Sequence, residues 1–273
     1  VPDVIADVDL LAFERGTQAQ RQAVTDGVLR SLATGFVYTS HDIPLDVLDA
    51  AYELLARFFS LPVSVKARYV APGSHGQTGY TGLGVETAAS SDTPDWKEML
   101  NWGRPVPPGH PLRQVYPHQY AEQVLPEADV AGITAVLMEL HDRLIDLQTR
   151  FLRIIAVGLG CDEYFFDDLL IDGATLDRAI HYPPPPSSGS GRVWAAEHGD
   201  INLVTALPRA TTAGLQVKTA EGWVDAVAPP GHAVINTGIM LERLSNGRLP
   251  TGIHRVVGSP GSGDRYSMVQ FCH

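Results

Sequence analysis

Cysteine is nearly absent from this 273-residue sequence, which has only Cys161 and Cys272, far apart and in no metal-type spacing. That excludes a disulfide framework and a thiolate metal knuckle, and it makes a reducing cytoplasm the expected compartment. Basic residues are also in deficit, 20 against 31 acidic, for a formal net charge of −11. A surface of that sign repels nucleic-acid backbones and anionic membranes, so neither is expected as a partner and a small molecule remains. No apolar run approaches the ~20 residues that a membrane helix needs, and the first residues lack the basic and apolar blocks of a secretory signal. There is no internal repeat. The Gly-rich stretch "SHGQTGYTG" (74–82) lacks the strand-to-helix context of a phosphate loop.

What is present is a 44% hydrophobic chain, enough to bury the core of one large domain over 1–273. Helical periodicity dominates to about residue 176. "TQAQRQAVTDGVLRSLATG" offers Thr17 as a cap, a stripe of Val24, Val28, Leu29 and Leu32, and Gly35 as a stop. "DVLDAAYELLARFFSLP" repeats the period, with "GFVYTS" as a strand between them. The longest helix falls within 129–160, apolar over so broad a side that it should pack against a sheet. From 177 onward, short strands punctuated by Gly, Pro and Asn take over: "RAIHY", "INLVTAL", "GLQVK", "GWVDAV", "HAVINT", "IHRVV" and "YSMVQFC". The fold class is therefore mainly β with packed helices, the strands forming an antiparallel sandwich or barrel such as a jelly roll. "PPPPSSGSG" (183–191) reads as a loop within that domain.

Chemistry concentrates in "AAEHGDIN" (195–202). In an extended strand His198 and Asp200 share a face and can offer one nitrogen and one oxygen to a single ion. His254, on a later strand that could lie across the sandwich, supplies a third donor. Two imidazoles and a carboxylate on one side of a metal leave the other side open, the ligand set of non-haem Fe(II) oxygenases. Arg265 and Ser267 in "RYS" share one face of the last strand, where a buried guanidinium calls for an anion suited to its planar fork. Tyr182, closing "RAIHY", could reach the same anion.

In order along the chain, "GYTGLG" (79–84), "DWKEML" (95–100), "HYPPPP" (181–186), "HGDINLVT" (198–205), "GLQV" (214–217), "PPGHAVINTG" (229–238), "LSNGRLPTGIHRVV" (244–257) and "RYS" (265–267) resemble the isopenicillin N synthase-like branch of the Fe(II)/2-oxoglutarate-dependent oxygenases. The resemblance implies a double-stranded β-helix (jelly-roll) core flanked by N-terminal and long central helices. His198, Asp200 and His254 match the family's iron ligands, Arg265 and Ser267 the pair that holds the distal carboxylate of 2-oxoglutarate, and Tyr182 a supporting tyrosine. The implied reaction consumes 2-oxoglutarate and O2, releases succinate and CO2, and oxidises a small molecule, most simply by hydroxylation. Natural-product tailoring is one setting the resemblance suggests. Because Asp200 is a carboxylate, the halogenating variant of the chemistry is not expected.

The sequence departs from the commoner pattern at Ile180, where many relatives carry Asn, and at Ile239, where many carry an acidic residue; many also continue past the position of His273 into a helical segment. Gln77, Tyr80 and Trp96 are candidates for substrate contact by their position in the pattern, and Trp102 is weighed as a pocket wall against core packing. His181 alternates away from Tyr182. His232 reads as a packed or rim residue, and His273 as terminal and without a role, with metal contact as the alternative. Rival readings are an oxidase or cyclase of the same fold that does not use 2-oxoglutarate, a non-catalytic ligand-binding jelly roll, and a zinc hydrolase, which would have no use for Arg265 and Ser267.

Overall fold

Thr17 opens the first long helix, Gln18–Ser31, with a capping box: its hydroxyl accepts from the Gln20 amide while the Gln20 side chain accepts from the Thr17 amide. The chain then tightens through a 3-10 turn, Leu32–Thr34, and leaves it at Gly35 with φ of 80°. That glycine is required twice over, by the left-handed backbone and because a Cβ there would stand 2.3 Å from Gly252 Cα. The computed structural model describes residues 5–87, 92–184, 194–258 and 263–273. Most of "PPPPSSGSG" lies outside those residues, and so does its reading as a loop.

Among the described residues there are twelve strands, most of them matching the sequence pattern with shifts of a few residues: β1 (Asp7–Val8), β2 (Phe36–Ser40), β3 (Gly79–Thr81), β4 (Glu98–Gly103), β5 (Leu176–Tyr182), β6 (Ala195–His198), β7 (Val204–Ala210), β8 (Leu215–Thr219), β9 (Gly222–Asp225), β10 (His232–Thr237), β11 (His254–Val256) and β12 (Arg265–Cys272). They form an eight-stranded sheet in the order β1-β2-β10-β7-β12-β5-β4-β3 and a four-stranded sheet in the order β6-β11-β8-β9. Besides the expected strand at "GFVYTS", the mainly helical first part thus lends β1, β3 and β4 to the larger sheet.

Alternation along the strands sorts side chains between two cores. Ala179, Leu100, Ala206, Ile235 and Met268 face outward from the larger sheet onto helices. The central helix Ile133–Leu159 buries Leu137, Leu140, Leu144, Leu147, Phe151 and Ile155, and packs against β7, β12 and the helices Gln18–Ser31 and Leu45–Phe59. Facing inward, Met99, Ile180, Tyr182 and Val234 meet Ala195, Leu215, Val217 and Val256 of the smaller sheet. This is the jelly-roll sandwich, and its inner layer is where the functional side chains lie.

One charged network is buried on the outward side. Lys66 Nζ lies 2.9 and 2.7 Å from the two Glu98 oxygens, His181 Nδ1 lies 2.7 Å from Glu98 Oε1, and the Tyr80 hydroxyl donates to Glu98. Lys66 and Glu98 are each about 5% exposed. His181 stacks on Tyr266, turned away from Tyr182 as the alternation required.

Candidate active site

His198 ends β6 and His254 begins β11, and the two are direct partners in the antiparallel register of the smaller sheet. They are neighbours in one sheet, not across the sandwich as the sequence reading allowed. The extended run also stops at His198, so Asp200 is not a strand residue. It is brought back by a turn that needs Gly199, where a Cβ would meet Thr251 Cγ2 at 2.6 Å. The i, i+2 argument therefore gave the right proximity for the wrong local geometry.

The three donor atoms lie within 4.8 Å of one another. Each imidazole sets its Nδ1 against a backbone carbonyl, His198 at 2.7 Å from Ala196 O and His254 at 3.2 Å from Gly252 O. Both Nε2 atoms face Asp200 Oδ1 at 4.0 Å, too long for a hydrogen bond and wide enough for an ion between. Asp200 Oδ2 is held from behind by the Thr205 hydroxyl at 2.6 Å and the Asn236 amide at 2.8 Å. Burial alone would raise the Asp200 carboxyl, yet the adjacent His254 and His198 and these two donors hold it below the usual range. Burial, reinforced by His254, pushes His198 down. An ionised carboxylate and a neutral imidazole are the protonation states that bind a divalent metal, so the donor set fits one.

Deeper between the sheets, Arg265 is 1% exposed and lies opposite Tyr182 in the β12–β5 register, its guanidinium 5.0 Å from the phenol ring centroid. It donates to Ser267 Oγ at 3.1 Å and Thr212 O at 3.2 Å, and it has no carboxylate partner among the described residues. A buried guanidinium left with only neutral partners is an anion site. A cavity of about 60 Å³ is lined by Arg265, Ser267 and Tyr182 together with His198, Asp200 and His254.

A second, open cavity of about 410 Å³ meets the first at Lys97, Arg178, His198, Asp200 and Phe271. Here both cations are already paired. Lys97 Nζ stands 2.7 Å from Glu86 and 2.9 Å from Asp95, and Arg178 donates to Asn101 at 2.8 Å and to Glu86 at 3.3 Å. Burial opposes the charge on Lys97, but Glu86, Tyr182 and Asp95 raise it above the usual lysine range; Glu86 is held down by Arg178 and Lys97 against its own burial.

Of the three substrate candidates, Gln77 lines this outer cavity. Tyr80 does not: it is 6% exposed, bonded to Glu98 and packed on Phe58, because its strand turns it to the helical side. Trp96 packs against the inner apolar cluster and donates to Pro184 O, outside both cavities. Trp102 is wholly buried in the helix-side core. Trp194 tilts against Tyr182, buried beside the deep cavity. His232 is remote, near Asp7 and Pro230. His273, read as terminal without a role, stands in the outer cavity wall, where burial lowers its basicity. Sequence reasoning missed Lys97, Arg178 and Glu86 as wall residues. The signal was available for Arg178, which shares parity with Ile180 and Tyr182, and for Phe271, which shares it with Arg265 and Ser267.

Comparison with known proteins agrees with this geometry. Residues 7–127 match the profile of the non-haem dioxygenase in morphine synthesis N-terminal family, and residues 176–273 match that of the 2OG-Fe(II) oxygenase superfamily. A solved 2OG-Fe(II) oxygenase family protein from Caulobacter crescentus is 36% identical with a TM-score of 0.85, over 98% of this chain and 86% of that one. A full-length Neurospora crassa protein, solved in complex with alpha-KG and thymine, is 28% identical with a TM-score of 0.86, over 100% and 87% of the two chains. A 2-oxoglutarate-Fe(II) type oxidoreductase of Aspergillus fumigatus is 26% identical over 99% of this chain and 81% of its own length.

Proposed function

The chain belongs to the 2OG-Fe(II) oxygenase superfamily, and from that premise we propose how its own residues share the work of the reaction. The enzyme is a 2-oxoglutarate- and Fe(II)-dependent dioxygenase that oxidises a small molecule with O2 and releases succinate and CO2. His198, Asp200 and His254 hold the iron, which, when bound, supplies open positions for the oxoacid and O2 and the power to oxidise carbon. Thr205 and Asn236 keep Asp200 ionised and aimed. Arg265 and Ser267 take the distal carboxylate of 2-oxoglutarate, and Tyr182 packs beside it. Apolar walls from Ile180, Leu215, Val234 and Val256 exclude water around that carboxylate and strengthen its charge-assisted bonds.

The outer cavity receives the substrate, and its shared wall with the metal donors brings a substrate carbon to the reacting centre. Hydroxylation is the outcome that needs no further group. The Neurospora crassa protein, which holds thymine together with alpha-KG, supports a substrate of modest size. Two free cysteines, and no helix among the described residues long and apolar enough to cross a membrane, support a cytoplasmic setting.

One observation carries the division of roles: a buried Arg265 without a carboxylate partner, in a cavity that it shares with a His–Asp–His cluster. The test is Arg265→Gln. Losing a buried, charge-assisted pair should raise the KM for 2-oxoglutarate about thirtyfold or more. Unchanged oxoacid dependence would remove Arg265 from the role.

A further inference from the structure

Resting on the reading above, we infer that the outer cavity takes a neutral, flat heterocycle with a lactam or imide edge, seated on Phe271 and read by Gln77 and Arg178. The first ground is charge balance. Arg265, in the deep cavity, has only neutral partners, whereas both outer cations already share Glu86, and Lys97 holds Asp95 as well. Two cations and two carboxylates already balance on this wall, so an anionic substrate would bring a charge with no counter-ion of its own. A neutral one leaves these pairs intact.

The second ground is the pattern of unused hydrogen-bonding groups. Among the described residues the Gln77 side chain makes no hydrogen bond, and Arg178, whose Nε and Nη1 are engaged, keeps Nη2 free. A free primary amide offers one acceptor and two donors, the complement of an N–H beside a C=O. A free guanidinium N–H adds a donor for a carbonyl.

Shape is the third. Phe271 is half-buried, lines both cavities and lies with its ring centroid 5.3 Å from the Arg178 guanidinium carbon. Its strand neighbours Gln270 and Cys272 are wholly buried on the other side of the sheet. The guanidinium lies over the Phe271 ring, and the two planar groups together form a wall beside which a planar ring can stack while its edge meets the free polar groups.

The experiment is anaerobic calorimetric titration of the Fe(II)- and 2-oxoglutarate-loaded enzyme with uracil, 2-pyridone and orotate, which is uracil bearing a carboxylate. Uracil and 2-pyridone should bind, with orotate at least about tenfold weaker than uracil. Gln77→Ala and Phe271→Leu should each weaken uracil about tenfold and Phe271→Tyr should retain binding, while Gln77→Ala, outside the deep cavity, should leave the affinity for 2-oxoglutarate unchanged. Orotate binding more tightly than uracil, or neither neutral ring binding while 2-oxoglutarate loads normally, would overturn the inference alone. A failure of 2-oxoglutarate to load would overturn the reading beneath it.

Discussion

At the scale of single residues, Asp200 is held from two sides. One oxygen is tied to Thr205 and Asn236, and the other faces two imidazoles at 4.0 Å. His198→Ala should therefore abolish iron-dependent succinate release while thermal unfolding stays cooperative, since His198 is only partly buried at the cavity rim. Asn236→Ala should act more mildly, weakening Fe(II) affinity about ten- to hundredfold by loosening a ligating oxygen. Metal titration followed by activity would show both effects, and an Asn236→Ala enzyme with native affinity would deny Asn236 its orienting role. The clustering of His198, Asp200 and His254 and the pairing of Arg265 with Ser267 were legible because their residue types are chemically demanding and stand in an ordered run of motifs. Glu86 was not, since a surface-like ion-pair residue looks the same in sequence whether it faces solvent or a cavity, and Arg178 could have been found only from its parity with Ile180 and Tyr182. Tyr80 went astray for a related reason: a three-residue strand carries too little alternation to tell its two faces apart.

At the scale of elements, helix signals were read almost to the residue. Thr17 and Gly35 mark the ends of their segment because capping chemistry is local. Thr17→Ala should cost about 1 kcal/mol, measurable by urea unfolding. Strand partners are not local, so the β6–β11 pairing that opposes His198 to His254 could not be read, nor could the recruitment of β1, β3 and β4 into the larger sheet. The ion network between β4, β5 and the Lys66 turn makes a pH prediction. Burial raises Glu98, but His181, Lys66 and Tyr80 outweigh it and hold the carboxyl below its ordinary value of 4.5. A folded-state value below the unfolded one gives stability that is present above about pH 4.5 and lost as pH falls below it. The thermal midpoint should therefore drop on acidification through that window. Glu98→Gln, which strands the buried Lys66 charge, should destabilise by about 3–5 kcal/mol at neutral pH and flatten this acid limb. Parallel acid limbs in the two proteins would contradict the assignment.

At the scale of the whole molecule, the two sheets and their helical backing divide space by charge. The chain as a whole carries a net charge of −11, while the only cation among the described residues that is buried without a carboxylate partner lies inside, at Arg265. Arg265 shares the deep cavity with the His198, Asp200 and His254 cluster, and His198 and Asp200 also line the outer cavity. That architecture followed from the sequence as a class, since alternating antiparallel strands after 177 bury their apolar faces in a sandwich or barrel such as a jelly roll. The cavities did not, because their walls come from strands and loops scattered between Phe36 and His273.

The most direct test is an anaerobic titration of Fe(II)-loaded enzyme with 2-oxoglutarate, following the weak visible charge-transfer absorption of a chelated ferrous oxoacid. The wild-type protein should give a saturable band, Arg265→Gln the same band at a much higher midpoint, and Asp200→Ala none. A fully iron-loaded wild-type protein without the band, or an Arg265→Gln variant with an unchanged midpoint, would contradict the account.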